Sequence, residues 1–222
     1  MKNIIGLIFL FLMIFGCGKD NYEEPQSTIS GNITFNGAPL NLKGTAQSIQ
    51  LQLYQPGYQF NAHIPVYVTQ DGSFKAKVFD GNYKLIARNN NGPWVNATDT
   101  MYVDLKGSAN INYEVNPYFL INSASLTLSS DNKLTGNFTI VKNVNSANLQ
   151  YYSVLVSKTS FVDDVSNFYR KDYSSYSNSN VNVLEDLSQN EQLKSAPVLF
   201  ARIGVRAEGA DQAIYSEVIK IK

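Results

Sequence analysis

Asp163 and Asp164 set two carboxylates side by side, the residue type that glycoside hydrolysis uses in pairs. Such enzymes hold converging carboxyls about 5 to 9 Å apart, whereas side chains on adjacent residues diverge. The pair therefore reads as a solvated turn or a helix N-terminus. His63 is the only histidine and Cys17 the only cysteine among 222 residues, so neither finds a second soft ligand for a metal. No catalytic residue, metal or cofactor is expected, and the chain reads as a non-enzyme.

What remains is binding chemistry carried by aromatic and amide side chains. Trp94 is the only tryptophan and closes the polar run Asn89-Asn90-Asn91-Gly92-Pro93. An indole presented by such a loop could stack on the C–H face of a pyranose while the amides of Asn89, Asn90 and Asn91 meet its hydroxyls. The alternative is that Trp94 plugs the open end of a β-sandwich, which the high average burial of tryptophan favours. Tyr58, in Gln55-Pro56-Gly57-Tyr58-Gln59-Phe60, is a second sugar-binding candidate. The tyrosine-rich stretch from Phe168 to Tyr176 reads either as another such loop or as a long, tolerant surface connection. His63, alone, reads as a strand-edge residue.

The elements that must carry these residues are strands. Short apolar runs at 29–35, 49–54, 66–69, 74–79, 83–88, 101–105 and 111–115 predict seven strands before Asn116-Pro117-Tyr118. In Ile49-Gln50-Leu51-Gln52-Leu53 the apolar residues fall at every second position, so one face packs and the other is wet. Asn36-Gly37, Asp71-Gly72 and Asp80-Gly81 supply the positive φ that tight hairpins need. Pro117 biases Asn116 to extended backbone and marks a boundary. Beyond it, runs at 123–128, 134–141, 149–157, 181–184, 198–207 and 215–221 predict a second β-rich unit, with only short helical turns near 161–169 and 186–194. The expected fold is all-β: two consecutive antiparallel β-sandwiches, over 28–117 and 118–222, each able to fold alone.

Eighteen Lys and Arg balance eighteen Asp and Glu, which argues against a nucleic-acid partner. The N-terminus gives an address. Lys2 precedes the apolar stretch Ile4 to Phe15, whose twelve residues would rise only about 18 Å as a helix against a hydrocarbon core of about 30 Å. Residues 1–16 therefore read as a secretory signal rather than a permanent span. Ile14-Phe15-Gly16-Cys17 resembles a bacterial lipoprotein signal, which implies acylation of Cys17 and an outer-membrane anchor. Residues 17–27 read as a flexible polar tether. Its acidic residues Asp20, Glu23 and Glu24 resemble the surface-export signal of Bacteroidetes lipoproteins, which implies display to the cell exterior. Asp99-Thr100-Met101 resembles the O-glycosylation sequon of Bacteroides exported proteins, with Thr100 as acceptor; equally, Thr100 only opens the strand that follows.

Gly31 to Leu40, Asp71-Gly72-Ser73-Phe74 and Gly81 to Ala87 together resemble the carboxypeptidase-regulatory, transthyretin-like sandwich. With Asn91-Gly92-Pro93-Trp94, Asp99-Thr100 and Asn116-Pro117-Tyr118 added, the mature chain resembles a family of two-domain Bacteroidetes lipoproteins of unknown function, encoded beside SusC/SusD-like glycan importers. The resemblance implies a transthyretin-like first domain, an immunoglobulin or fibronectin type III-like second domain, and SusC/SusD-like partners. It implies an accessory role in polysaccharide capture or, alternatively, a structural docking subunit that touches no sugar, and it brings no catalytic residue.

Overall fold

The computed structural model describes residues 23–57, 62–176 and 179–222. The signal segment, Cys17 and Tyr58 lie outside the described residues.

The chain is built almost wholly of strands. The first domain contains β1 (Ser27–Phe35), β2 (Ala38–Pro39), β3 (Gln50–Tyr54), β4 (Ile64–Tyr67), β5 (Ser73–Val78), β6 (Gly81–Ala87), β7 (Trp94–Val95), β8 (Met101–Leu105), β9 (Ser108–Asn110), β10 (Tyr113–Glu114) and β11 (Asn116–Pro117). One sheet is organised around β1, which pairs with β5 and β2 antiparallel and with β9 and β10 parallel. Its two parallel pairings join the first and last stretches of the domain, which run in the same direction after the intervening strands have crossed over. The other sheet, in the order β4-β3-β6-β8, is antiparallel throughout. Between the sheets lie Ile29, Ile33, Phe74 and Val78 on one side and Leu51, Leu53, Leu85 and Val103 on the other. The β1–β2 turn has positive φ at both Asn36 (51°) and Gly37 (76°), the conformation that matches hairpin twist.

The second domain contains β12 (Phe119–Leu128), β13 (Lys133–Lys142), β14 (Leu149–Ser157), β15 (Tyr169–Tyr173), β16 (Asn180–Asp186), α1 (Glu191–Lys194), β17 (Phe200–Ala207), β18 (Ile214–Tyr215) and β19 (Ile219–Lys220). Its sheets are β12-β13-β16 and β15-β14-β17, with β18 and β19 both on the far side of β17, and every pairing is antiparallel. α1 is one turn, capped by the Asn190 side chain, which accepts from the Leu193 N–H. Leu134, Phe138 and Ile140 of β13 face Val154, Val156 and Ile203, the alternation predicting which residues of each strand point inward.

Between the domains there is almost no linker. Asn116 and Pro117 pair with Val95 and Trp94, and β12 begins at Phe119. Buried residues from both domains form one apolar cluster. The tyrosine-rich stretch, expected as a loop, contains the edge strand β15.

Candidate functional site

The Asn-rich run before Trp94 folds into a latch. Asn91 is buried; its Oδ1 accepts from the Gln50 N–H at 2.8 Å and its Nδ2 donates to the Ser48 carbonyl at 2.7 Å. Asn90 takes a left-handed backbone, φ 50°, and exchanges hydrogen bonds with Asn96: backbone N to Oδ1 at 2.7 Å and Nδ2 to Oδ1 at 2.9 Å. Asn89 alone of the three is exposed with an uncommitted side chain. Trp94 is 4% exposed. A Cβ built on Gly92 would lie 2.3 Å from its ring, so only glycine lets the chain cross the indole there. This corrects the platform reading of Trp94. The indole is enclosed at the end of the first sandwich, opposite Pro117, and offers no face to a sugar; Asn91 has spent its amide on the fold, and Asn90 has committed its side-chain oxygen to Asn96.

The carboxylate pair also turns out to be structural. Asp163 Oδ2 accepts from Thr45 Oγ1 (2.7 Å) and from the Thr45 N–H (3.2 Å), while Oδ1 accepts from the Val165 and Ser166 N–H groups (3.0 and 2.8 Å). Burial on its own would raise the Asp163 pKa, but these four hydrogen bonds outweigh it and hold the carboxyl below its ordinary range. Asp164 pairs with Lys43 at 2.9 Å. Both acids thus reach from the second domain into the 43–45 turn of the first.

Between them and the sheet lies Arg202, 1% exposed, in the middle of β17. Its Nε donates to the Ser216 carbonyl (2.7 Å), Nη1 to those of Leu42 (3.0 Å) and Val162 (3.1 Å), and Nη2 to that of Gln70 (3.0 Å). The guanidinium carbon lies 4.6 Å from the Tyr215 ring centroid. Burial lowers the Arg202 pKa to about 10, against the opposing pull of Tyr215 and Asp163, so the group remains a cation at neutral pH. Two of the four carbonyls belong to the first domain. Arg202 therefore binds the domains together, through a shared core locked by a buried cation.

Tyr169 and Tyr173, the aromatic residues of β15, turn inward and donate to the two oxygens of buried Glu185. Tyr173 also stacks on Tyr152, centroids 4.9 Å apart. Burial first, then the Glu185 carboxylate, raises both phenol pKa values well above the ordinary one. These rings hold the sandwich edge.

An aromatic surface does exist, on the outer face of the β4-β3-β6-β8 sheet. Pairing sets Tyr54 opposite Lys84, and Lys84 opposite Tyr102, so the three cross the sheet in one row. Gln52, Pro65 and Ile86 form the adjacent row. Tyr102 is 75% exposed, with Lys84 Nζ 5.5 Å from its centroid. Tyr54 is half-buried; its hydroxyl donates to Gln52 Oε1 (3.3 Å) and its ring meets that of His63 at 5.8 Å. Tyr54 and Tyr102 lie two strand spacings apart, roughly 10 Å. A rigid, flat strip with two phenols, an amide and an ammonium can stack on the C–H faces of sugar rings and hydrogen-bond their hydroxyls. Sequence reasoning passed over Tyr102, although its place between Met101 and Val103 already assigns it to the outer face. Thr100 is half-buried just before β8, and Asp99 beside it accepts from the Tyr113 hydroxyl through its carbonyl (2.7 Å).

Among the described residues, no helix is long and apolar enough to cross a membrane, and no group of three or more His, Cys, Asp or Glu is placed to hold a metal ion.

Two family models match the chain: the N-terminal domain of a protein of unknown function, DUF3823, over residues 27–116, and its C-terminal partner domain, DUF3823_C, over residues 119–220. No curated protein matches. Among solved structures, a DUF3823 family protein from Parabacteroides merdae is 45% identical, with a TM-score of 0.86 over 90% of this chain and 100% of that one. One from Bacteroides ovatus is 27% identical, with a TM-score of 0.78 over 88% and 98%. A Bacteroides uniformis protein provisionally described as carbohydrate binding is 19% identical, with a TM-score of 0.75 over 89% and 99%, a likeness of fold. With both of its domains matched in order and 45% identity to the Parabacteroides protein over 90% of its length, the chain belongs to the DUF3823 family of Bacteroidetes proteins of unknown function.

Proposed function

We propose that this protein is a surface-anchored accessory lipoprotein of a SusC/SusD-like glycan-uptake system and assists polysaccharide capture. It sits on the outer membrane by acylated Cys17 and faces the cell exterior. The observation that carries the reading is the row Tyr54, Lys84, Tyr102, whose two rings lie two strands apart, a separation that spans more than one sugar unit of a chain, and are held by the sheet. The carbohydrate-binding description of the Bacteroides uniformis relative supports it. Binding without chemistry fits the commitment of Asp163 and Asp164 to the domain interface. A transthyretin-like first domain and an immunoglobulin-like second domain remain part of this proposal.

Two measurements test it. Tyr102→Ala should weaken affinity for the best glycan on an array roughly three- to tenfold, the loss expected for one aromatic stack, with an unchanged melting temperature because the ring is exposed. Unaltered affinity would remove the sheet face from the site. Cys17→Ser should move the protein from salt-washed membranes to the soluble fraction. Retention in the membrane fraction would dismiss the acyl anchor.

One observation favours the docking alternative. Phe161, Val165 and Phe168 are 59%, 64% and 45% exposed on a single connection whose backbone is pinned by Asp163, and Lys158 Nζ lies 4.3 Å over the Phe168 ring. Apolar side chains held out on a fixed loop mark a protein contact. Glycan binding by the intact protein separates the two readings.

A further inference from the structure

Three open cavities of about 390, 320 and 380 Å³ follow one another, the first lined by the first domain alone and the other two at the junction of the two domains. The first two share the half-buried Phe35 ring, and the second and third share Asn41, Ile121 and Asn122. The second and third, with three wall residues in common, form one furrow, and the first adjoins it at Phe35. Its walls come from both domains and are fixed relative to one another, since the Tyr215 N–H donates to the Asn41 carbonyl (3.0 Å) and Arg202 locks the sheet beneath. Clefts of this size between rigid domains are where ligands bind.

The chemistry of the walls selects the ligand. The Asn41, Asn122 and Ser123 side chains and the Glu217 carboxylate have no hydrogen-bonding or ionic partner among the described residues. Each carboxamide can give and take a hydrogen bond at once, the pattern that vicinal hydroxyls match. Ser123 is turned to its place by the β12 bulge, where the pairing with β13 skips from Asn122 to Ser125 and Ser123 takes φ 54°. Ile121, Ile219 and Phe35 supply apolar surface for C–H faces. No Lys or Arg lines any of the three cavities, whereas Asp99, Glu114 and Glu217 do, so the field along the furrow repels anions.

We infer that the interdomain furrow seats a neutral, hydroxyl-rich oligosaccharide chain, passing from Phe35 past Asn41 and Asn122 to Glu217. The assignment deepens the glycan-capture reading, on which it rests. The tyrosine strip makes first contact on an open face, and the furrow holds a longer segment with directional bonds.

The test is calorimetric titration of the mature chain with neutral hexasaccharides (β-1,4-glucan, β-1,4-mannan and α-1,4-glucan) and with a polygalacturonate hexamer. At least one neutral hexamer should bind. Asn41→Ala with Asn122→Ala should weaken that binding tenfold or more with no change in melting temperature, while Tyr102→Ala changes it less. If the Asn variant binds within twofold of the parent while Tyr102→Ala is weakened, the furrow is overturned and capture on the sheet face stands. Preference for the polygalacturonate hexamer would overturn the neutral-ligand assignment, and failure of all neutral hexamers would overturn the furrow as a saccharide site. Retention on immobilised polysaccharide, measured in parallel, decides the capture reading separately.

Discussion

Arg202→Ala should destabilise the protein by about 3–5 kcal/mol, the loss expected when buried acceptors are left without donors and a large side chain leaves a cavity. Four backbone carbonyls lose the guanidinium, of which that of Gln70 keeps the Leu42 N–H, and a cavity opens where the guanidinium met Tyr215. For a chain of this size the melting temperature should fall roughly 6–20 °C. Arg202→Lys should recover only part of that, because an ammonium cannot serve carbonyls on two domains with a planar fork. Calorimetric or circular-dichroism melting checks both variants. A shift within 2 °C for Arg202→Ala would show that the interface is carried by something else. The same reasoning predicts that residues 27–117 made alone leave the Leu42 and Gln70 carbonyls without this donor and are less stable than the whole protein.

Trp94→Ala should cost about 3–5 kcal/mol as well, the range for emptying a large aromatic site in a core. Its ring fills the space between the Asn91 latch and Pro117, where both domains meet, and the walls are held by backbone pairing that resists collapse. At temperatures where the variant remains folded, its glycan affinity should equal that of the parent. The opposite pairing, an intact melting temperature with lost affinity, would return Trp94 to the surface role.

Much of the fold was legible because strands expose a period of two. The Asn36-Gly37 hairpin, the inward set of β13 and the break at Pro117 all follow from residue type and position. Arg202 was not legible. Alternation says that it shares a face with Phe200 and Gly204, opposite Ala201 and Ile203, but it cannot say whether that second face meets water or another domain. A signal was present in β14, where Val154, Leu155 and Val156 run apolar without a break, as in a strand covered on both sides. Trp94 was ambiguous for a related reason. Asn and Gly before an aromatic describe a loop, and a loop can fold back over its own ring. The tyrosines of β15 looked like surface because their partner, Glu185, is a charged residue that pairing had to bring inside.

The parallel pairings of β1 bear on how the molecule carries load. Whatever pulls on the chain through its N-terminus reaches the fold at Ser27, whose hydroxyl is bonded to Asp80 and whose strand is hydrogen-bonded on both sides, to β5 from Ser27 to Asn32 and to β9 and β10 along the opposite edge. A force along β1 cannot peel one bond at a time. It must shear both ladders together, so the load is spread over the whole strand.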